Sequence, residues 1–285
     1  MSKTIESKFY EYSINKKKYK VNYSGSTKAS FGKKVILSNE NTDLTYKQSW
    51  YPKGYNVFEI FSNNEFEKLQ SNIKKLIQDN ISTYKVDTKL FKLEKYHKFV
   101  TNNNLHHSII SFTRDLFPEN FNFPTQKITK KLENIFGMYL SDIDPDTNKK
   151  LHIIIRINRP SSNDFNPPHK DIYESLDRFK IIPKLINFWI PICGVTEKST
   201  LPLVENSHFL SEDTILRIND KTIMNNNSYR VRGIINWNNS NELTKPTVKN
   251  GQVLIFSPHL IHGLALNEQN DTTRVALEFR LFEKK

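Results

Sequence analysis

Cysteine is almost absent: Cys193 is the single one among 285 residues. That excludes a disulfide framework within the chain and any cluster of metal-binding thiolates. Cys193 sits in the apolar run INFWIPICG and reads as a small buried residue. Long apolar runs are missing as well. None approaches the roughly 18 residues that a membrane-spanning helix needs, so no membrane partner is expected. The first twenty residues, MSKTIESKFYEYSINKKKYK, are charged and hold no apolar signal core. The simplest expectation is a cytoplasmic protein. Acidic residues are scarce beside basic ones, 30 against 42, for a formal net charge of +12. Such an excess suits an anionic partner. The lysines, however, fall in short scattered groups (KKKYK, KKL, KK) with no nucleic-acid motif interleaved. They read as a compositional bias, and nucleic acid is not expected as the partner.

What is present supports one large domain with a sizeable core. Residues 1–55 are polar, with short alternating stretches such as KYKVNY and KKVILS, and read as peripheral hairpins. Residues 56–150 read as a helical support layer. In the first helix, Phe66, Leu69, Ile73, Leu76, Ile77 and Ile81 recur at helical spacing, with Asn64 and Glu67 as a capping box. A second runs from about Gln126 to Tyr139, with Gly137 weakening its last turn. From 151 to 285 the pattern turns to strands: LHIIIRIN, KLINFWIPI, SYRVRG, QVLIFS and TRVALEFRL. Few helix-length segments separate them, which argues against a parallel sheet. The fold class expected is α+β, mainly β. Its core is an antiparallel jelly roll or barrel with N-terminal helices outside it. The polar, Asn-rich segment 212–247 reads as a lid or inserted hairpin.

Eight histidines offer ligand chemistry. His169 and Asp171, in NPPHKDIYE, stand two apart. On an extended strand, residues two apart share a face, so imidazole and carboxylate can converge on one ion. That would be two of the three ligands of a non-haem Fe(II) facial triad. In this reading Pro167 and Pro168 fix the extended approach, and Lys170 points away from the metal. The third ligand can come from PHLIHG, where His259 and His262 compete. Arg274 stands twelve residues beyond His262 and could face the same cavity. An arginine deep in a barrel next to a metal needs a carboxylate partner, and if no acidic side chain supplies one, a dicarboxylate cosubstrate would. His208 reads as structural, and His106 and His107 as surface or core.

This order, H-x-D, then a distal His-Gly, then an Arg, resembles the phytanoyl-CoA dioxygenase-like Fe(II)/2-oxoglutarate oxygenases. The stretch INFWIPICGVTEKSTLPLVENSH adds to it, being similar to that family's "xxWIPL" strand, leucine-proline turn and Gly-Ser-His ending, here ENSH. The resemblance covers residues 150–281 and, more weakly, the helix near 64–81. It implies a double-stranded β-helix, or cupin-like, core and a dioxygenase that uses Fe(II), 2-oxoglutarate and O2. His169, Asp171 and His262 would bind iron, and Arg274 the distal carboxylate of 2-oxoglutarate. Trp189 would line that pocket and Asn187 donate a hydrogen bond into it. Asp171 stands where related halogenases keep a small residue, which implies hydroxylation or a related oxidation. The chain departs from the pattern at Leu264, where many members carry a cosubstrate-binding Ser.

Arg156 and Asn158, two apart on one strand, join Arg159, Lys170 and Tyr173 in a polar rim for substrate. Such a rim fits a small polar metabolite, a carbohydrate or a sugar acid better than an acyl-CoA or lipid. Two other readings stay open: the same chemistry on nucleic acid or protein, and a non-catalytic jelly-roll binding protein.

Overall fold

A computed structural model of the chain describes residues 3–5, 8–23, 27–145, 147–219, 222–225 and 227–284. The N-terminal part supplies β1 (Lys3–Ile5), β2 (Lys8–Ile14), β3 (Lys17–Tyr23), β4 (Thr27–Phe31) and β5 (Tyr55–Glu59). Asn15 and Lys16 join β2 to β3 with φ of 50° and 68°. Two such residues in a row make the turn whose twist matches a hairpin. Helices α1 (Asn63–Ser82), α2 (Tyr96–Phe99), α3 (Asn103–Thr113) and α4 (Thr125–Phe136) follow. Then come β6 (Leu140–Ser141), β7 (Ile154–Asn158), α5 (Ile172–Phe179), β8 (Leu185–Cys193), β9 (Ile215–Ile218), β10 (Thr222–Met224), β11 (Asn227–Tyr229), β12 (Ile234–Trp237), β13 (Glu242–Leu243), β14 (Gln252–Phe256) and β15 (Arg274–Glu283).

The first helix buries Phe66, Leu69, Ile73, Ile77 and Ile81, one stripe at helical spacing. Its cap lies two residues before the one read from sequence. Ser62 has an extended backbone and accepts from Glu65 N, while the Glu65 carboxylate accepts from Ser62 N. Asn64 thus falls inside the first turn. The helix expected over 126–139 stops at Phe136, because Gly137 takes φ +67° and caps it. Tyr139 lies outside and is 74% exposed.

The architecture is mixed α/β with several antiparallel sheets. The largest has the order β5-β14-β8-β15, with β7 and β6 sharing the far edge of β15. Its register sorts the side chains. Val275, Leu277, Phe279 and Leu281 of β15 join Ile155 and Ile157 of β7, Ile186, Phe188 and Ile190 of β8, and the buried faces of α1, α3 and α4 in one apolar cluster. The alternate residues of β15, Arg274, Ala276, Glu278 and Arg280, pair with Asn158, Arg156, Ile154 and Asn187 of their neighbours on the opposite face. This face is largely polar and borders a cavity. A row of single bridges walls the other side: His169 with His262, His262 with Leu203, and Leu203 with Thr244.

The N-terminal strands pair with the segment after residue 212. They form the sheets β1-β4-β9-β12 and β11-β10-β3-β2-β13, all antiparallel except β13 against β2. Tyr12 Oη donates to Ile234 O at 2.8 Å and ties the two parts together. Residues 220, 221 and 226 of the 212–247 segment lie outside the described residues. No helix among the described residues is long and apolar enough to cross a membrane.

Candidate metal centre

His169, Asp171 and His262 come together, with one potential ligand atom from each lying within 4.8 Å of the others. His169 Nε2 is 3.5 Å from Asp171 Oδ1, and His262 Nε2 is 3.8 Å from Asp171 Oδ2. The backbones of the two histidines bridge, placing their ring centroids 4.3 Å apart. Each ring is held from behind. His169 Nδ1 is 2.8 Å from Pro167 O, and His262 Nδ1 is 3.0 Å from Leu260 O. A carbonyl only accepts, so both Nδ1 atoms carry a proton and Nε2 is the ring atom that each histidine turns toward the centre. Burial, then His169, pushes the His262 pKa down to about 4, so the ring stays neutral and able to ligate.

Asp171 reaches the centre differently from the strand alternation expected. Its backbone is helical, φ −66° and ψ −27°, and it leads into α5. The turn after His169, not an extended strand, swings the carboxylate in. Burial raises its pKa, but Arg280, His262 and His169 outweigh burial and hold it well below the usual range. Arg280 Nη2 is 2.9 Å from Asp171 Oδ1, and Asn187 Nδ2 donates to Oδ2 at 2.8 Å. Asn187 therefore gives its amide to a ligand carboxylate, where the sequence suggested a cosubstrate contact. Gly263 follows His262 with φ +139°, and a Cβ there would lie 2.5 Å from Pro167 O. Only glycine lets the two ligand-bearing segments approach so closely.

His259 turns away: its Nε2 is 3.0 Å from Thr42 O. His208 is buried against Tyr51 and Phe209. His106, by contrast, lines the cavity, with Nδ1 3.0 Å from Tyr96 Oη and Nε2 3.3 Å from Asp164 Oδ2. His107 lines it too.

Arg274 is 2% exposed and also faces the cavity. It donates through Nη2 to Asn158 Oδ1, but its Nε and Nη1 have no partner among the described residues. A buried guanidinium with two unanswered donors fits an incoming carboxylate, as 2-oxoglutarate requires. Trp189 lies fully buried with its ring 5.9 Å from the Arg274 guanidinium, and its Nε1 is unpartnered as well. Two imidazoles and one carboxylate on one side of an ion fit Fe(II) with open positions. Leu264 packs into the apolar cluster behind the bridge row, so no hydroxyl faces the pocket there.

The rim read from sequence divides. Arg156 and Asn158 line the cavity. Arg156 Nε donates to Glu278 Oε2 at 2.7 Å. Arg159 is held by Asp164 through Nε at 2.9 Å. Lys170 and Tyr173 do not belong to a rim. Both are buried, and both bond to Glu212, Lys170 Nζ at 2.9 Å and Tyr173 Oη at 2.8 Å. Tyr173 packs in an apolar cluster with residues of β2, β3, β9 and β12. The sequence reading passed over Glu278 and Arg280, yet both follow Arg274 at two-residue steps on one strand face.

Comparisons with known proteins agree with this geometry. No curated protein sequence matches the chain. Among solved structures, EvdO2 from Micromonospora carbonacea var. aurantiaca, complexed with 2-oxoglutarate, is similar with a TM-score of 0.52 and 12% identity. The match covers 88% of this chain and 94% of that one. EctD from S. alaskensis, solved with 2-oxoglutarate and 5-hydroxyectoine, gives a TM-score of 0.50 and 13% identity over 90% of this chain and 83% of that one. Both similarities show a shared fold. The family model for phytanoyl-CoA dioxygenase matches residues 51–275, a span that runs through the three converging ligands to Arg274. On that match the chain belongs to the phytanoyl-CoA dioxygenase (PhyH) family of Fe(II)- and 2-oxoglutarate-dependent oxygenases.

Proposed function

We propose that this oxygenase hydroxylates a C–H bond of a small polar metabolite, such as a carbohydrate or sugar acid, within its double-stranded β-helix core. The observation that carries the reading is the cavity wall. A cavity of about 340 Å³ is lined by Arg114, Arg156, Glu278 and Arg280, with Asn227, Ser228 and Tyr229 along one edge. That volume is at the small end of the roughly 300–1,000 Å³ typical of ligand pockets. Burying an acyl chain against so many charged groups would strip them of water without return. EctD, similar in fold, was solved with a small hydroxylated molecule beside 2-oxoglutarate, which is consistent with this reading.

In this reading His169, Asp171 and His262 hold Fe(II), and Arg274 takes the distal carboxylate of 2-oxoglutarate. Together the bound metal and cosubstrate supply the oxidising power, with O2 consumed and succinate and carbon dioxide released as the C–H bond is oxidised. The chain's own residues bind, orient and shield. The Pro167 and Leu260 carbonyls fix both imidazoles in the ligating tautomer. Asn187 and Arg280 fix the carboxylate. Asp171 fills a ligand position that a halogenase would leave for chloride, which supports hydroxylation. Phe256 and Trp189, both buried, keep water from the back of the pocket.

The test is succinate release from Fe(II)-loaded protein and 2-oxoglutarate, with carbohydrates and sugar acids set against acyl-CoAs. A polar compound should raise release above the uncoupled rate, and His169→Ala should abolish it. Coupling to acyl-CoAs alone would overturn the substrate reading. Fe(II) binding and turnover by His169→Ala at the wild-type level would overturn the ligand assignment.

A further inference from the structure

We infer that the substrate carries an anionic group, a carboxylate or phosphate ester, and that Arg114 at the cavity mouth receives it. The inference rests on the small-metabolite reading above and narrows it.

Arginine pairing inside the cavity leads to this residue. Each carboxylate lining the cavity already has an arginine: Asp171 has Arg280, Glu278 has Arg156, and Asp164 has Arg159. Arg274 is the group suited to the cosubstrate. That leaves Arg114, which is exposed at the edge of the cavity and whose side chain has no hydrogen-bond or ion-pair partner among the described residues. It caps the C-terminal end of α3, so the helix fixes where it stands. Arg156 repels it, and Glu278, which attracts it, is already bonded to Arg156.

The charge balance points the same way. Four arginines line the cavity, Arg114, Arg156, Arg274 and Arg280, with three carboxylates, Asp164, Asp171 and Glu278. Iron(II) and the 2-oxoglutarate dianion cancel each other. A surplus of one positive charge remains among the lining groups of the loaded site, which an anionic substrate would neutralise. In a pocket of restricted dielectric such a surplus raises the local concentration of anions and selects against neutral analogues. Tyr229 lies beside Arg114 on the same wall and offers a hydroxyl donor. A guanidinium and a phenol hydroxyl make a suitable pair for a carboxylate or phosphate oxygen.

The experiment uses three probes on one open-chain polyol scaffold: D-gluconate, D-glucitol 6-phosphate and neutral D-glucitol. Each is titrated by calorimetry into anaerobic protein loaded with Fe(II) and 2-oxoglutarate, where turnover cannot occur. At least one anion should bind ten or more times tighter than D-glucitol, and whichever does so identifies carboxylate or phosphate. Arg114→Gln should weaken that anion at least tenfold and leave D-glucitol unchanged. Arg114→Lys should restore part of the difference. The affinity for 2-oxoglutarate should be the same in all three proteins. If neither anion outbinds D-glucitol, or if Arg114→Gln leaves the preference intact, the inference is overturned. If Fe(II) and 2-oxoglutarate themselves do not bind, it is the underlying oxygenase reading that fails.

Discussion

Lys170 donates to Glu212 at 2.9 Å, and each residue is only 2% exposed. The lysine lies between two of the candidate metal ligands in sequence, His169 and Asp171, yet it anchors the opposite side of that segment. Glu212 also accepts from Tyr173 at 2.8 Å and from Arg217 at 3.1 Å. Removing one partner of a buried pair leaves an uncompensated charge and typically costs about 3–5 kcal/mol. Lys170→Met should fall near the lower end, because Glu212 keeps two donors. Glu212→Leu should destabilise more, because it strands a lysine and a phenol together and takes one partner from Arg217. Urea unfolding of both variants reads this directly. Equal losses would mean that Tyr173 and Arg217 contribute nothing.

The contact of Gly263 with Pro167 predicts a contrast between two glycines. Gly263→Ala would place a Cβ 2.5 Å from a backbone oxygen at φ +139°. Strained backbone positions cost of order 1–3 kcal/mol each, and a steric overlap with backbone adds to that. Fe(II) binding should be lost as well, because the bridge from His169 to His262 must separate. Gly137→Ala also has positive φ, but nothing lies within 4 Å of its Cβ. It should cost about 1 kcal/mol and leave Fe(II) binding intact. Urea midpoints and Fe(II) titration of the two variants check this, and similar behaviour of both would discount the close approach.

His208 should make the protein acid-sensitive. Burial pushes its pKa down from 6.5 to about 4, a shift that Asp43 only partly opposes. The unfolded chain therefore takes up a proton below about pH 6.5, while the folded ring stays neutral until about pH 4. Stability is full above the unfolded pKa and declines as pH falls through this window. One such histidine contributes a slope of about 1.4 kcal/mol per pH unit. His208→Gln should remove that share of the slope. Unfolding free energies at pH 7.5, 6 and 5 for both proteins provide the measurement, and parallel profiles would exclude His208 as the source.

Much of the catalytic half is legible in sequence because its signals are local or periodic. The H-x-D pair, the His-Gly pair and Arg274 are short patterns, and the strands from residue 151 show the alternation or apolar runs that mark them. Arg280 was equally legible: three steps of two from Arg274 put it on the same face. Other parts were hidden for physical reasons. Asp171 follows two prolines and a bridging histidine, so extended geometry seemed to continue, whereas the chain turns into α5 there. In α3, the cap Asn102 is one of three consecutive asparagines, and two histidines obscure its apolar stripe. The burial of Lys170 depends on Glu212, forty-two residues away, and no local pattern encodes such a partner. The pairing of the N-terminal strands with β9, β12, β10 and β13 is long-range in the same way.

Asn187 offers the sharpest separation of metal from cosubstrate. Its Nδ2 donates to Asp171, and its Oδ1 accepts from Arg280 Nε at 3.2 Å. The amide thus sets the angle of the ligand carboxylate and also orients the arginine that shares it. Groups that hold a metal ligand in this way typically change metal affinity by about 10- to 100-fold when removed. Asn187→Leu has a similar shape and no hydrogen-bonding capacity, so it should weaken Fe(II) by that factor. Arg274 is bonded to Asn158 rather than to Asn187, and its two unpartnered donors remain. With Fe(II) at saturation, 2-oxoglutarate should therefore bind the variant nearly as well as the wild type. Calorimetric titration of each component in turn separates the two effects. A large loss of 2-oxoglutarate affinity at saturating Fe(II) would return Asn187 to the cosubstrate contact that its sequence position first suggested.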